Sequence, residues 1–346
     1  MNALLLIPKK YSIANMLKRG FKDNGWTAKS IDFRDIVNNR RNFFYDKTAG
    51  LPNKINKKWK EDYIRKINKE YITIFKKENP DIVFIYNNQF ILPETLRLMK
   101  KKSKIVFFLG DNPLFTDTFK FNLDILKYSN YTICPDSYWK EQLSRIGIEN
   151  IIIDYIGYDD EIFFSTVDIP IKIRNKYNSD ALFIGEPHKG ASAFKRASFY
   201  NSINIENFKL FGQKGWFGIL NTFPLLKTKF NLLEKRVSDI ELNYAMNCTK
   251  IFPIEQNRSI INGIHLRVFE SIGAGTLPIV EWRKDLDTLF GKLIPTVKNY
   301  DELNHKIIYF IQNESERKNT ITQLRHIIKT NYNPQKLVER IILFDK

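Results

Sequence analysis

Arg267 and Glu270 stand three residues apart in His265-Leu-Arg-Val-Phe-Glu-Ser-Ile-Gly-Ala-Gly-Thr-Leu-Pro-Ile-Val280, so on a helix they share one face. A guanidinium placed there can reach an oxyanion, and a carboxylate can accept hydrogen bonds from sugar hydroxyls. The pattern predicts a helix that runs through Glu270, breaks at Gly273 and Gly275, and gives way to a buried strand. Its amino end near Gly263 would turn unpaired backbone N–H groups and a positive dipole end toward phosphates. The same spacing also fits an ordinary packed helix with one intrahelical ion pair.

Gly185-Glu-Pro-His-Lys-Gly190-Ala-Ser192 nearly matches a P-loop. Ala191-Ser192 replaces the Lys and Ser/Thr pair that grips terminal phosphates, which argues against an NTPase. A turn flanked by Lys189, Lys195 and Arg196 can still hold an anion, or can simply expose a basic helix face. Pro8-Lys9-Lys10 follows the first apolar run where a nicotinamide dehydrogenase would carry GxGxxG, and no GxSxG supports a hydrolase. His188, His265, His305 and His326 never pair at ligand spacing, and Cys134 and Cys248 form no CxxC, so neither a metal site nor a disulfide framework is expected. Asp285-Leu-Asp287 reads as a helix cap in preference to a metal-binding DxD. Asp111 in Leu109-Gly-Asp-Asn-Pro113 ends a strand and could orient a sugar or act as a base; an Asx-type turn fits the same residues.

Short apolar strands alternate with amphipathic segments twice along the chain, which predicts two parallel sheets covered by helices. Strands are expected at 3–8, 28–33, 81–86, 104–109, 131–134 and 151–154, then at 180–184, 208–211, 250–253, 276–280 and 292–295. Residues 157–178 read as a linker, giving an N-terminal domain over 1–165 and a C-terminal domain over 166–333. A last helix within 334–346 packs back near the first. A site shared by two facing doubly wound sheets would lie in a cleft between them.

The 346 residues include 55 Lys and Arg against 38 Asp and Glu, and residues 1–150 hold 28 of the basic and 16 of the acidic ones. A basic first half favours an anionic partner: a membrane surface, a phosphorylated acceptor or nucleic acid. The stretch Arg40 to Lys77, with Phe43, Phe44, Tyr45, Trp59, Tyr63 and Tyr71, has the composition of a membrane-surface or acceptor-binding element. The first apolar run is too short for a signal-peptide core, and no span of about 18 apolar residues occurs.

Four C-terminal segments carry a family likeness: Leu182-Phe-Ile-Gly-Glu186; Leu210-Phe-Gly-Gln-Lys-Gly-Trp216; Asn262-Gly-Ile-His-Leu-Arg-Val-Phe-Glu270 with Gly273-Ala-Gly275; and Tyr300-Asp-Glu-Leu303 through Ile308-Tyr-Phe-Ile311. With weaker segments from Asp81 onward, the chain resembles the CgeB-like, spore-maturation-protein type glycosyltransferases, a GT-B branch with a family 1 or family 4 type donor domain. The resemblance implies two Rossmann-like domains facing a central cleft and metal-independent transfer from a nucleotide-sugar, UDP-linked for preference, with no cofactor. The acceptor would be a glycan, a glycolipid or another cell-surface glycoconjugate. By this analogy Glu270 holds the ribose, while Gly263, His265, Leu266 and Arg267 receive the diphosphate. Gly212, Trp216, Ile254 and Glu255 border the base, and Gly185, Lys189, Arg196 and Asn262 complete the donor site. Asp111 and Arg267 are the catalytic candidates. Where many relatives of family 4 type carry a second Glu ahead of the ribose Glu, this sequence has Asn262, so stereochemistry stays open. That change also leaves room for a GT-B-shaped protein that binds a nucleotide or glycan without turnover. The expected setting is cytoplasmic, peripheral on the inner face of the plasma membrane, with no specific nucleic acid partner.

Overall fold

A computed structural model describes the whole chain except Lys10, Ala49, residues 115–122 and residues 345–346; the side chain of Asn53 is likewise not described. Among the described residues, twelve strands form two six-stranded sheets, every strand pair parallel. The chain divides into one unit of Met1–Tyr155 with Pro334–Lys346, and another of Ile156–Asn333.

The first unit holds β1 (Asn2–Leu6), β2 (Thr27–Ile31), β3 (Ile82–Tyr86), β4 (Lys104–Phe108), β5 (Tyr131–Cys134) and β6 (Ile151–Ile153). Its helices are α1 (Ile13–Asp23), α2 (Phe33–Ile36), α3 (Asn39–Thr48), α4 (Asn53–Glu78), α5 (Pro93–Lys100) and α6 (Ser137–Arg145). The second unit holds β7 (Ser179–Ile184), β8 (Phe208–Gly212), β9 (Phe230–Leu232), β10 (Thr249–Ile254), β11 (Leu277–Glu281) and β12 (Thr296–Val297). Around them lie α7 (Ile171–Tyr177), α8 (Ala191–Asn201), α9 (Phe217–Leu220), α10 (Pro224–Lys229), α11 (Asp239–Asn247), α12 (Leu266–Ala274), α13 (Lys284–Phe290), α14 (Asp301–Gln312) and α15 (Glu314–Asn331). The last helix, α16 (Pro334–Leu343), belongs to the first unit.

Central strands such as Ile82-Val-Phe-Ile85 and Ile105-Val-Phe-Phe108 are buried along their length, as parallel strands covered on both faces must be. The strand order β2-β1-β3-β4-β5-β6 reverses direction at β1/β3, and β12-β11-β10-β7-β8-β9 reverses at β7/β10. At each reversal the following connections leave to opposite faces, opening a crevice beyond the carboxyl ends of the two strands.

Several elements differ from expectation. The strand expected at 292–295 forms at Thr296–Val297, and β9 arises inside a mixed apolar and basic stretch that shows no strand period. The helix expected to break at Gly273 continues to Ala274 and ends at Gly275, whose φ of 86° suits glycine. Gly273 is required for packing, since a Cβ there would lie 2.5 Å from the Tyr158 ring and 2.9 Å from the Phe163 carbonyl.

The division falls at Tyr155/Ile156, ahead of the expected boundary at 165/166. The intervening residues are tied to α11: Asn243 accepts from the Phe164 amide at 3.1 Å, and Asn247 accepts from the Thr166 amide at 2.8 Å. The supposed linker 157–178 also contains α7.

α16 lies against α1, and its backbone is gripped by the first sheet. Arg340 forks onto Asp154 at 2.7 and 3.0 Å, Tyr131 donates to the Ile341 carbonyl at 3.0 Å, and Lys104 donates to the Ile342 carbonyl at 3.1 Å. A Cβ on Gly20 would sit 2.4 Å from the Pro334 carbonyl oxygen. Gly20→Ala is therefore expected to destabilise the chain by ~1–3 kcal/mol through overpacking against backbone, read as a lowered thermal midpoint.

Candidate functional site

At the β7/β10 reversal, Ile184 and Gly185 from the end of β7 and Ile254 and Glu255 from the end of β10 line a cavity of about 170 Å³, with Arg196, Tyr200, His265 and Arg267. The cavity stands where a doubly wound sheet leaves room for a ligand, beside the amino end of α12.

That helix begins close to where the sequence places it. Leu266 is its first residue and His265 its N-cap, so Gly263 lies outside it. The His265 Nδ1 accepts from the Arg267 amide at 3.0 Å, and its own amide donates to Gln256 Oε1 at 3.2 Å. The amides of Ile264 and Leu266 make no hydrogen bond among the described residues. Leu266 is exposed, Gly263 is buried, and the Asn262 carbonyl accepts from the Asp285 amide at 3.0 Å.

Arg267 and Glu270 are bonded to one another, the guanidinium to Glu270 Oε2, so the intrahelical pair forms. Burial raises the Glu270 carboxyl above its ordinary range, and Arg267 opposes that rise.

Glu255 is the most enclosed charge in the site, its side chain 2% exposed. It accepts from Lys195 Nζ at 2.7 Å and from Arg196 Nε at 2.9 Å, both on α8. Lys195 also reaches Glu281 Oε2 at 2.7 Å, the same oxygen that accepts from the Gln256 amide at 3.0 Å. Arg196 donates a further bond to the Glu186 carbonyl at 2.7 Å. Its cation is thus turned to Glu255, which departs from its expected place among the anion holders.

Two other expected residues also take structural positions. Trp216 is fully buried, and its indole N–H donates to the Gly185 carbonyl at 2.8 Å, so it does not present a face to a base. A Cβ on Gly212 would lie 2.3 Å from that indole, which explains the glycine. Lys189 is exposed and makes no ion pair among the described residues.

Glu281, Gln256 and His188 complete the site and were not among the expected donor residues, while Lys195, expected beside an anion-holding turn, is bonded to carboxylates. Acidic residues just at the carboxyl ends of neighbouring strands, Glu255 after Pro253-Ile and Glu281 after Ile279-Val, were the available signal. His188 adopts a φ of 73° in the turn before α8. The Nε2 atoms of His188 and Gln256 are buried without a hydrogen-bond partner among the described residues. Such orphans call for an explanation, and a polar ligand supplies one.

In the first unit, Asp111 accepts from Asn87 Nδ2 at 2.8 Å, while Asn87 Oδ1 accepts from the Gly110 amide at 2.8 Å. The Asx-type turn expected of this segment is made by Asn112, which accepts from the Leu114 amide at 2.9 Å. Asn87, Gln89 and Phe90 all have positive φ, a concentration of strain directly after β3. Asp285 and Asp287 are not caps: Arg283 precedes α13, and Asp287 accepts from the Trp282 indole at 2.8 Å. Groups of three or more metal-ligating side chains are not found among the described residues.

Residues 194–342 match the family described as glycosyl transferase-like. No curated protein matches the chain in sequence. Among solved structures, sucrose-phosphate synthase from Thermosynechococcus elongatus is similar at a TM-score of 0.70 and 9% identity, covering 99% of this chain and 98% of that one. The Anabaena protein HepE in complex with UDP-glucose is similar at 0.65 and 10%, covering 99% of each chain. UDP-GlcNAc 2-epimerase from Neisseria meningitidis bound to UDP-GlcNAc is similar at 0.61 and 12%, covering 99% and 100%. The fold is GT-B, and the chain carries a glycosyl transferase-like domain.

Burial lowers the rings of His265 to about 3 and His188 to about 4, with nearby guanidinium groups adding to the effect. Both are neutral when folded, so the unfolded chain binds more protons once pH falls below ~6.5. Their contribution to stability is complete above that pH and is lost as pH falls toward the folded values. Glu270 works in the opposite direction. Comparing wild type with His265→Asn, which keeps a capping side chain, isolates the ring: the variant's thermal midpoint should fall less steeply between about pH 6.5 and 4. Separately, Glu255→Ala leaves the buried Arg196 guanidinium without a carboxylate and is expected to cost ~3–5 kcal/mol in chemical denaturation.

Proposed function

We propose that the protein is a glycosyltransferase of CgeB-like type, moving a sugar from a nucleotide-sugar, UDP-linked for preference, to a glycan, glycolipid or other cell-surface glycoconjugate. The observation that carries this reading is the cavity at the β7/β10 reversal, bordered by Arg267 and the amino end of α12. The relatives of this fold bound to UDP-glucose and UDP-GlcNAc support a uridine nucleotide as ligand.

Transfer breaks the bond between the sugar's anomeric carbon and the diphosphate oxygen, and negative charge grows on that oxygen in the transition state. A guanidinium and backbone N–H groups aimed at it lower the barrier because they are fixed before reaction. Arg267 supplies the cation, α12 supplies its dipole and the Leu266 amide, and the segment just ahead of it supplies the Ile264 amide. With charge met in this way, transfer proceeds without a metal. Glu270 takes the ribose hydroxyls, and Arg267, released in part from Glu270, turns to phosphate. The cleavage leaves UDP in the site, and the acceptor oxygen gives up its proton. Asp111, held as an acceptor by the Asn87 amide, is assigned to orient or deprotonate that hydroxyl.

Arg267→Ala should lower turnover by about 10²-fold, and Asp111→Asn should lower turnover while leaving UDP affinity unchanged. Glu270→Ala should weaken UDP binding strongly in calorimetry with the far-ultraviolet circular dichroism unchanged; an unaltered affinity removes the ribose assignment. Activity should persist in EDTA. Because an epimerase shares the fold, products are followed from UDP-sugars with and without acceptor glycans. Release of UDP that requires an acceptor supports transfer, conversion of the sugar without UDP release points to epimerisation, and binding without either leaves a nucleotide-binding protein.

A further inference from the structure

The helical hairpin α3–α4 carries an apolar surface that nothing in its own unit covers. Phe43, Phe44, Leu51, Ile55 and Trp59 are 62, 45, 43, 67 and 60% exposed. Ile55 and Trp59 are four apart on one face of α4, and the Phe44 ring meets Trp59 across the hairpin at 5.1 Å, so the patch is continuous. Below it the hairpin is fully engaged: Tyr45 stacks on Tyr63 at 4.4 Å, Tyr63 donates to Asn42 at 2.6 Å, and Asn56 donates to the Leu51 carbonyl at 3.0 Å. The exposed rings therefore stand on a built scaffold.

Charge around this patch is predominantly positive. Residues 40–62 hold seven Lys and Arg against three acids, of which Asp46 is bound by Arg34 at 2.9 Å and Asp62 lies on the wall of the neighbouring cavity. Between the helices a cavity of about 430 Å³ has Arg40 and Arg41 on its wall beside Tyr45 and Trp59. Large apolar tips within a cationic ring suit the boundary between lipid headgroups and acyl chains, where the rings are buried and the cations meet phosphate. A nucleic acid would leave Leu51 and Ile55 unrewarded, and a second copy would bring two cationic surfaces together.

We propose that the α3–α4 hairpin is a docking surface for a bilayer of anionic phospholipid, with Phe43, Ile55 and Trp59 entering the interface and the Arg40–Arg41 cavity taking a headgroup phosphate. The attachment is peripheral: among the described residues no helix is long and apolar enough to cross a membrane. This surface is separate from the donor cavity, so it stands or falls independently of the transfer reaction.

The full chain is sedimented with vesicles of phosphatidylcholine alone and of phosphatidylcholine containing phosphatidylglycerol. Binding should be at least about tenfold tighter to the anionic vesicles and should weaken steeply as salt is raised. Ile55→Ser with Trp59→Ser should lower that affinity about tenfold, and Lys57→Gln with Lys58→Gln should reduce the preference for anionic lipid. Both pairs are exposed, so unchanged thermal unfolding and an unchanged UDP-induced shift identify the loss as one of docking. Equal binding to both vesicle types, or a serine variant that sediments like wild type, overturns the proposal. So does ultracentrifugation showing a dimer that the serine variant dissociates, which would give the patch to a second copy.

Discussion

Glu255 is a carboxylate removed from water at the end of β10, and the second unit's site is arranged around the ion pairs it makes. An isolated buried charge is costly, and this one is tolerated because Lys195 and Arg196 both close on it. Those two cations sit side by side on α8, so satisfying Glu255 sets where α8 lies over the sheet and how the preceding turn must run. Lys195 then draws in Glu281 from β11, tying three elements to one ammonium group. The positively charged flank of the cavity is thereby balanced and rigid before any ligand arrives.

Against this fixed network, the proposed reaction asks the pair on α12 to exchange partners. Arg267 and Glu270 satisfy one another on a helix whose amino end is capped by a neutral imidazole. A neutral cap adds no positive charge of its own, and it holds the Arg267 amide in place. A diphosphate and a ribose offer the guanidinium and the carboxylate the same kinds of bond they now give each other, so exchange need not strand a buried charge. On that proposal, the permanent network serves structure and the exchangeable pair serves chemistry.

Glycines mark where backbone and side chains must approach closely. Gly212 leaves room for the Trp216 indole and Gly185 for the Phe183 ring, and Gly273 lets α12 settle on Tyr158. In the first unit Gly110 clears Tyr86, a contact that brings the strained loop after β3 up to Asp111. These are conditions on shape, met by the absence of one carbon atom.

The sequence by itself determined the alternation of strand and helix, the parallel sheets and the shared face of Arg267 and Glu270. Each of these is written in repeats of two or of about 3.6 residues, within reach of local inspection. It also showed acidic residues ending neighbouring strands, without showing what they meet. Only the tertiary structure joined Lys195 to Glu281 and Arg196 to Glu255, pairs separated by 86 and 59 residues. The same folding made His265 the cap, moved Trp216 from a binding face into the core, and gave residues 156–165 to the second unit. A short strand such as β9 takes its conformation from the edge it pairs with, so its three residues carry no period of their own. Long-range electrostatics and close packing are properties of which segments meet, and that is settled only when the sheets assemble.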